Sequence, residues 1–321
     1  MKTKLVKFFT VLFVFVLASC SHKQNNNVFI DDALFKDYPI DPKDAKRIFA
    51  SSIFDSIVYI SLPLSDSTII GSIEKLEVYD SCFYFWDKIE KKIWCFDFMG
   101  NLVFQIDKRG QGPGEYLQIY DFNIDKGCRQ IQILDRNLRK ILCYDLLNGN
   151  YIKDIKIEVA ASQFAILNNG FLLYTRGADI FMGKDKSKYG YNLFVSDSLG
   201  NLQEERYCPY NEIIDDLIGF NTFTSHDQQI SFHYARNDTI YEFDHTGHLE
   251  CKLLFDFGKY RIPLETVNTG QRMRDYDNDP NYTRVYKPFH TLQHVFITYV
   301  FENRIRFLLM HKQSEKIING R

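Results

Sequence analysis

The chain has 321 residues and a formal charge of −2; 45% of its residues are hydrophobic and 16% are aromatic. Basic and acidic residues are interspersed, so the sequence lacks the basic face that nucleic-acid binding requires. We therefore expect no nucleic-acid partner. The high content of Phe, Tyr, Ile and Val favours strands, and helical periodicity is short after the first twenty residues. These features predict an all-β protein.

The first twenty residues have the order of features that defines a secretory signal peptide. Three lysines within the first seven residues give a positive start, the apolar run Phe8–Leu17 follows, and small residues come directly before Cys20. The apolar run has about half of the ~20 residues that a membrane-spanning helix needs. Residues 1–19 therefore predict a cleaved signal peptide.

The segment Leu17–Cys20 resembles the lipobox of bacterial lipoproteins. This resemblance implies cleavage before Cys20, a diacylglyceryl thioether on its sulfur and acylation of the new amino group. Two acyl chains at about 0.8 kcal/mol per buried CH₂ anchor a protein stably, so we expect the membrane to be a partner through Cys20. An ordinary secretory signal that contains a cysteine is the alternative.

Residues 20–47 are expected to be the lipidated cysteine and a polar tether, with a short helix beginning near Pro42. Ser21 stands where inner-membrane retention signals place Asp. By that analogy we expect the outer membrane rather than the inner one. The side of the membrane that the protein faces stays open.

A repeat of about 50 residues follows the tether. Each copy is an apolar strand, then Asp-x-x-Gly-Asn or Asp-x-x-Gly-His, then a second strand, with one extra turn residue in the second copy. The aspartates are 48, 52 and 47 residues apart; they are Asp97, Asp145, Asp197 and Asp244. Asp accepts hydrogen bonds from backbone N–H groups within its own turn, and Gly permits the positive φ that ends it. Each copy therefore predicts a β-hairpin.

Two further strands precede each hairpin in the sequence, so each repeat predicts four antiparallel strands. Repeats of this size and strand number are typical of the blades of a β-propeller. A fifth unit includes Val295–Phe301 and Ile305–Met310, and a last strand opens at Ile317. Residues 48–321 are therefore predicted to form a β-propeller domain with five visible repeats.

The apolar segment Ile57–Leu62 precedes the first repeat and is predicted to be a strand without a hairpin partner. In a propeller such a strand closes the ring by joining the last blade. It would complete the fifth blade, or it would be the outer strand of a sixth blade whose other strands are missing at the C-terminus.

Three segments carry a family resemblance beyond the hairpins. They are Gly110–Tyr116 (Gly-Gln-Gly-Pro-Gly-Glu-Tyr), Asn237–Tyr241 and Phe255–Lys259. With the lipobox, they resemble the six-bladed, NHL-like β-propeller lipoproteins of Bacteroides-type bacteria, over residues 48–310. The resemblance implies a six-bladed propeller with an incomplete C-terminal blade in this chain. It implies no catalytic residues, because that family has no general activity.

The glycine-rich segment has two interpretations. It is a tight crossing between blades, or it places Arg109, Gln111, Glu115 and Tyr116 at the mouth of the central channel. In the second case a charged pair beside an aromatic ring would bind a polar ligand such as a sugar or a peptide. A second candidate lies in the longest polar stretch of the chain, where tyrosine accompanies arginine; its residues are Arg272, Arg274 and Tyr276.

Cysteine and histidine patterns predict no metal, cofactor or redox site, because the chain has no CxxC pair and no His-Glu-x-x-His. A hairpin turn between Asp87 and Lys92 would place Cys95 opposite Tyr84 rather than Cys82. Most of the six cysteines other than Cys20 are therefore expected to be buried thiols.

Two functional hypotheses follow. The first is a lipid-anchored envelope propeller that acts as a binding or scaffold module for a glycan, a peptide or an envelope protein. The second is a propeller lyase or hydrolase with a site at the channel mouth. The absence of Gly-x-Ser-x-Gly and of other local catalytic motifs favours the first.

Overall fold

The computed structural model describes residues 35–63, 68–177, 179, 183–210, 222–226, 229–233, 238–263, 275–276, 278–291 and 293–321. Cys20, the signal peptide, and Arg272 and Arg274 lie outside these residues. The described residues form a β-propeller of five blades, each with four antiparallel strands. The prediction of an all-β propeller is confirmed.

The first two blades follow the sequence repeat strand by strand. Blade 1 consists of β2 (Lys75–Tyr79), β3 (Cys82–Asp87), β4 (Lys92–Asp97) and β5 (Leu102–Ile106). Blade 2 consists of β6 (Asp121–Asp125), β7 (Gln130–Asp135), β8 (Lys140–Asp145) and β9 (Tyr151–Lys156).

The remaining three blades complete the ring in chain order. Blade 3 consists of β10 (Gln163–Leu167), β11 (Gly170–Tyr174), β12 (Tyr191–Asp197) and β13 (Leu202–Pro209). Blade 4 consists of β14 (Thr222–His226), β15 (Gln229–His233), β16 (Thr239–Asp244) and β17 (Leu249–Asp256). Blade 5 consists of β18 (Arg284–His290), β19 (His294–Phe301), β20 (Arg304–His311) and β21 (Ile317–Gly320). The short helix α1 spans Lys186–Tyr189.

The third and fourth strands of blades 1 to 4 are joined by the predicted Asp-x-x-Gly turns. In blade 1, Asp97 Oδ1 accepts the N–H groups of Met99 at 2.9 Å and Asn101 at 2.8 Å. The Asn101 side chain donates to the other carboxylate oxygen at 2.9 Å, and this bond lowers the pKa of Asp97. Gly100 has φ +86°. The turn chemistry that the sequence predicted is confirmed.

Apolar side chains fill the spaces between adjacent blades. Tyr84 and Ile93 of blade 1 pack with Phe122 and Ile133 of blade 2 in one such layer. Because both faces of an inner strand are covered by neighbouring blades, these strands are mostly apolar on both faces. Within blade 1, Tyr84 lies opposite Cys95, as predicted.

A second carboxylate motif ties each of the first two blades to the chain that enters it. Asp87, at the end of β3, is fully buried and accepts the N–H groups of Gly71 at 2.7 Å and Ser72 at 3.1 Å. Asp135 holds the same place in blade 2 and accepts from Leu117 N–H at 2.6 Å. Burial raises the pKa of Asp87, but backbone N–H groups outweigh it and the pKa is lowered.

Residues 35–46, which the sequence predicted to be part of the tether, belong to the propeller. Strand β1 (Phe35–Pro39) pairs in parallel with β17 on the outer edge of blade 4. The chain then crosses to blade 5, where Lys46 N–H donates to Asn319 at 3.0 Å and Lys46 accepts from Arg321 N–H at 2.9 Å. Within the described residues the sheets therefore begin at residue 35, before the predicted start of the propeller at residue 48.

Three expectations about the ends of the chain were wrong. Blade 5 is complete, because β18 and β21 supply its inner and outer strands. A sixth blade is absent from the described residues. The segment 57–62 is not part of a sheet, and the outer edge of blade 5 that it would have joined is instead bridged by Lys46 to Gly320. The short helix expected near Pro42 is a 3₁₀ helix, Pro42–Asp44, and a second 3₁₀ helix spans Ala50–Ser52.

Candidate functional site

A cavity of about 490 Å³ lies at the centre of the ring. The innermost strand of every blade contributes to its wall, and consecutive innermost strands contact one another from β2 to β18. Each blade contributes at least one lining residue; from blade 1 to blade 5 these include Lys75, Asp121, Gln163, Thr224 and His290. The cavity is therefore built by all five repeats and belongs to none of them alone.

Paired charges form the wall on the side of blades 1 and 2. Lys75 Nζ lies 2.9 Å from Asp121 Oδ1 and donates to Asn123 Oδ1 at 2.9 Å. Asp121 is buried; its Oδ1 also accepts from Phe122 N–H at 2.8 Å, and its Oδ2 accepts from Phe164 N–H at 3.1 Å. This network connects the inner strands of blades 1, 2 and 3. Every oxygen of the Asp121 carboxylate is engaged in it.

Unpaired polar groups form the wall on the side of blades 3 and 4. Ser162 Oγ, Gln163 Oε1 and Thr224 Oγ1 are buried and make no hydrogen bond with the described residues. Arg176 also lines the cavity, and no described carboxylate lies within ion-pair distance of its guanidinium. A buried polar group without a partner costs about 1–3 kcal/mol. A ligand that formed the missing bonds after these side chains rotated towards the cavity would recover that energy.

Aromatic side chains complete the wall. Trp86, Tyr120, Tyr174, Phe223 and Phe289 contribute ring surface, and Phe289 is exposed. A concave site with aromatic surface and a few converging polar groups is the usual form of a small-molecule site.

A serine and a histidine meet between blades 4 and 5. Ser231 Oγ lies 3.1 Å from His290 Nδ1. His290 lines the cavity, whereas Ser231 is buried and is not part of the wall. A nucleophile must reach its substrate, so this contact serves to orient the histidine ring.

The glycine-rich segment predicted as a site lies at the crossing from blade 1 to blade 2. Arg109 and Gln111 are exposed, and Glu115 is half-buried. Arg109 Nε donates to Asp107 at 3.1 Å, and Glu115 Oε2 accepts from Gly112 N–H at 2.9 Å. None of these residues lines the central cavity. A binding role for them stays a prediction.

Tyr116 is fully buried. Its hydroxyl lies 2.9 Å from the carbonyl oxygen of Lys91 and 3.0 Å from that of Ile106, and it accepts from Lys108 N–H at 3.3 Å. Burial raises the pKa of this phenol. The contacts fix the inter-blade crossing, which was one of the two interpretations of this segment.

The second predicted site is described only at Tyr276. Its ring packs edge-on against Tyr282 at 4.8 Å, and it does not line the cavity. A binding role for Tyr276 also stays a prediction. The two arginines predicted beside it lie outside the described residues.

Sequence reasoning missed the residues of the central cavity, because they form no local motif. Some lie at or just before the innermost strand of a repeat, as Lys75, Asp121 and Gln163 do, and others lie near or after the end of the second strand, as Trp86 and Arg176 do. Aligning the repeats on their turn aspartates and reading the start of each innermost strand would have identified the first group, but not Arg176 or His290.

Two thiols of the core are unreactive at neutral pH. Burial raises the pKa of Cys95 to about 12 and that of Cys143 to about 11, so both remain protonated. The expectation that most of the six cysteines are buried was nevertheless wrong, because only these two are: Cys82, Cys208 and Cys251 are half-buried and Cys128 is exposed. Among the described residues, no group of His, Cys, Asp or Glu is arranged to hold a metal ion. In the same part of the chain, no helix is both long and apolar enough to cross a membrane.

Two solved structures are similar to this chain in fold. One is an exported protein of Bacteroides fragilis, which is 18% identical with a TM-score of 0.70; the match covers 89% of this chain and 79% of that one. The other is a member of the DUF4221 family from Bacteroides vulgatus, 10% identical with a TM-score of 0.55, covering 81% and 83%. No curated protein matches the chain.

A family model matches almost the whole propeller. It covers residues 38–321 and is described as a domain of unknown function, DUF4934. Its start near Tyr38 agrees with the strand β1 that joins blade 4. The chain therefore belongs to the DUF4934 family.

Proposed function

We propose that this protein is a lipid-anchored envelope protein whose propeller binds a glycan or a peptide in the central cavity. The observation that carries the proposal is the cavity wall, to which the innermost strands of all five blades contribute. Its aromatic surface and its unpaired polar atoms are the features of a ligand site.

The cell location rests on the sequence. The signal peptide and lipobox that end at Cys20 support export and lipid anchoring, and the similar protein of Bacteroides fragilis is described as exported. An outer-membrane position rests on Ser21, which stands where retention signals place Asp.

Catalysis by a lyase or hydrolase is the second candidate function. It is favoured by the convergence of Glu74, Asp121 and His290 from three blades on one cavity. However, Asp121 is bound by Lys75 and two backbone N–H groups, and Glu74 lies 3.7 Å from Lys88. A general acid or base must be able to exchange its proton with substrate, so these paired carboxylates favour binding over catalysis.

The test is a ligand screen with a blocked cavity. The full-length, detergent-solubilised protein is screened against a glycan array and a library of acetylated peptides. In Gln118→Trp, an indole replaces an exposed side chain of the cavity wall. Gln111→Trp is the matched control, because Gln111 is exposed on the same crossing but does not line the cavity. We expect the first variant to lose at least about tenfold in affinity, which corresponds to 1.4 kcal/mol.

The opposite pattern would contradict the proposal that the ligand binds in the cavity. If Gln111→Trp abolishes binding and Gln118→Trp does not, the ligand occupies the glycine-rich crossing. If the screened ligands are consumed and His290→Gln stops their conversion, the protein is an enzyme.

A further inference from the structure

The cavity wall is asymmetric in its charges. All three carboxylates of the wall have a lysine within ion-pair distance: Asp121 lies 2.9 Å and Glu77 lies 3.7 Å from Lys75, and Glu74 lies 3.7 Å from Lys88. The third cation, Arg176, has no carboxylate partner among the described residues. Among the described residues, the wall therefore has one positive charge without an ion-pair partner, on Arg176, and no such negative charge.

Arg176 lies two residues after the end of β11, which fixes its position in the blade. Its backbone has φ +55°, a conformation that side-chain-bearing residues adopt in only a few per cent of cases. The strand it follows pairs with β10, where Gln163 lies opposite Tyr174. Ser162 is tied to the same point, because its N–H donates to the Tyr174 carbonyl at 2.6 Å. The guanidinium, the Ser162 hydroxyl and the Gln163 amide therefore belong to one sector of the wall.

The next blade extends this sector. Thr224 lies on β14, which contacts β10, and its hydroxyl is also without a hydrogen-bond partner among the described residues. Two hydroxyls and one amide oxygen thus belong to residues that line the same cavity as Arg176. A rotation about χ1 carries a Ser or Thr hydroxyl between staggered positions, so a bound ligand can recruit these groups.

We propose that the cavity binds an acidic saccharide, with the uronic carboxylate on Arg176 and sugar hydroxyls on Ser162, Gln163 and Thr224. This inference rests on the proposed binding function and specifies its ligand class. Arginine binds a carboxylate through two parallel N–H donors. Sugar hydroxyls both donate and accept, which suits hydroxyl and amide groups together. A ligand ammonium group would find no unpaired carboxylate in the described part of the wall, which disfavours free amino acids.

The experiment compares digalacturonic acid with its dimethyl ester. The ester has nearly the same shape but no charge, and calorimetry on the full-length protein measures both affinities. We expect the acid to bind at least about tenfold more tightly, since hydrogen bonds between charged groups are the strong ones. In Arg176→Gln the acid and the ester are expected to bind equally.

Arg129→Gln is the matched control. Arg129 has nearly the same backbone conformation, φ +54°, but its guanidinium pairs with Asp80 at 3.1 Å on the surface, and it does not line the cavity. This variant is expected to keep the preference for the acid, so a general effect of removing an arginine is separated from the loss of Arg176.

Three outcomes would overturn the inference. Equal binding of acid and ester by the unchanged protein removes the role of the carboxylate. Failure of both to bind, while another ligand binds and is blocked by Gln118→Trp, rejects the saccharide and leaves the proposed binding function in place. Tighter binding of an acetylated dipeptide with a free carboxylate, lost in Arg176→Gln, assigns the site to peptides.

Discussion

Replacing Asp87 by Asn tests whether buried carboxylates hold the inter-blade crossings. The carboxylate Oδ2 accepts from Gly71 N–H at 2.7 Å and from the Trp94 indole at 3.4 Å. Its Oδ1 accepts from the N–H groups of Ser72, Ile89 and Glu90 at 3.0–3.1 Å. The side-chain amide of Asn has only one acceptor oxygen. Its NH₂ group therefore replaces either Oδ1 or Oδ2, and the N–H groups that donated to that oxygen lose their acceptor.

The expected cost follows from the donors left unpaired. With Oδ1 retained, Gly71 N–H and the buried Trp94 indole lose their acceptor, and each such loss costs about 1–3 kcal/mol. We expect Asp87→Asn to lower the free energy of unfolding by roughly 3 kcal/mol, measured by urea denaturation at pH 7. Asp80→Asn is the control, because Asp80 is an exposed aspartate that pairs only with Arg129. It should unfold near the wild-type midpoint.

The effect should depend on pH. The folded state lowers the pKa of Asp87 below its ordinary value of 3.8. A lowered folded-state pKa stabilises the protein above the unfolded pKa, and this stabilisation is lost as the pH falls through the folded pKa. The gap between wild type and Asp87→Asn should therefore be largest at neutral pH and shrink below about pH 3.8. An unchanged midpoint at pH 7, or a gap constant down to pH 2, would refute the reasoning.

Three further predictions concern the cavity network, a hairpin and the anchor. Lys75→Met leaves the buried Asp121 carboxylate without its ion pair and should destabilise the fold by about 3–5 kcal/mol in urea denaturation, and adding Asp121→Asn should restore part of the loss. Gly200→Ala should unfold at lower urea than Gly183→Ala, because a Cβ at Gly200 would lie 1.9 Å from a carbonyl oxygen of blade 2, whereas Gly183 has open space; equal midpoints would refute this. Cys20→Ala should abolish metabolic labelling with palmitate, and retained label would show that the lipobox interpretation is wrong.

The hairpins were predictable because each turn depends only on residues that are close together in the sequence. Asp97 and Gly100 lie three residues apart, and the turn needs only the carboxylate, the adjacent N–H groups and the positive φ. The repeat of that pattern was enough to predict the blades. The strand pairs of blade 1 match the prediction down to the position of Cys95 opposite Tyr84.

The closure of the ring was not predictable in the same way. The segment 57–62 has the composition of a strand, but a strand also needs an edge with unpaired backbone groups. Strand β1 pairs with β17 instead, although its own sequence between Phe35 and Pro39 carries little strand signal. The choice between two candidate segments depends on which edge each can reach, and that is a property of the assembled blades.

The sequence by itself determined the all-β class, the blade as the repeating unit and the chemistry of its turns, because each of these depends on residues close together in the chain. It also carries the prediction of an anchor at Cys20. Only the tertiary structure decided the number of blades in the described chain and the composition of the central cavity. Lys75, Asp121 and Arg176 are separated by up to a hundred residues, and they face one cavity because the ring turns one edge of every blade towards its axis.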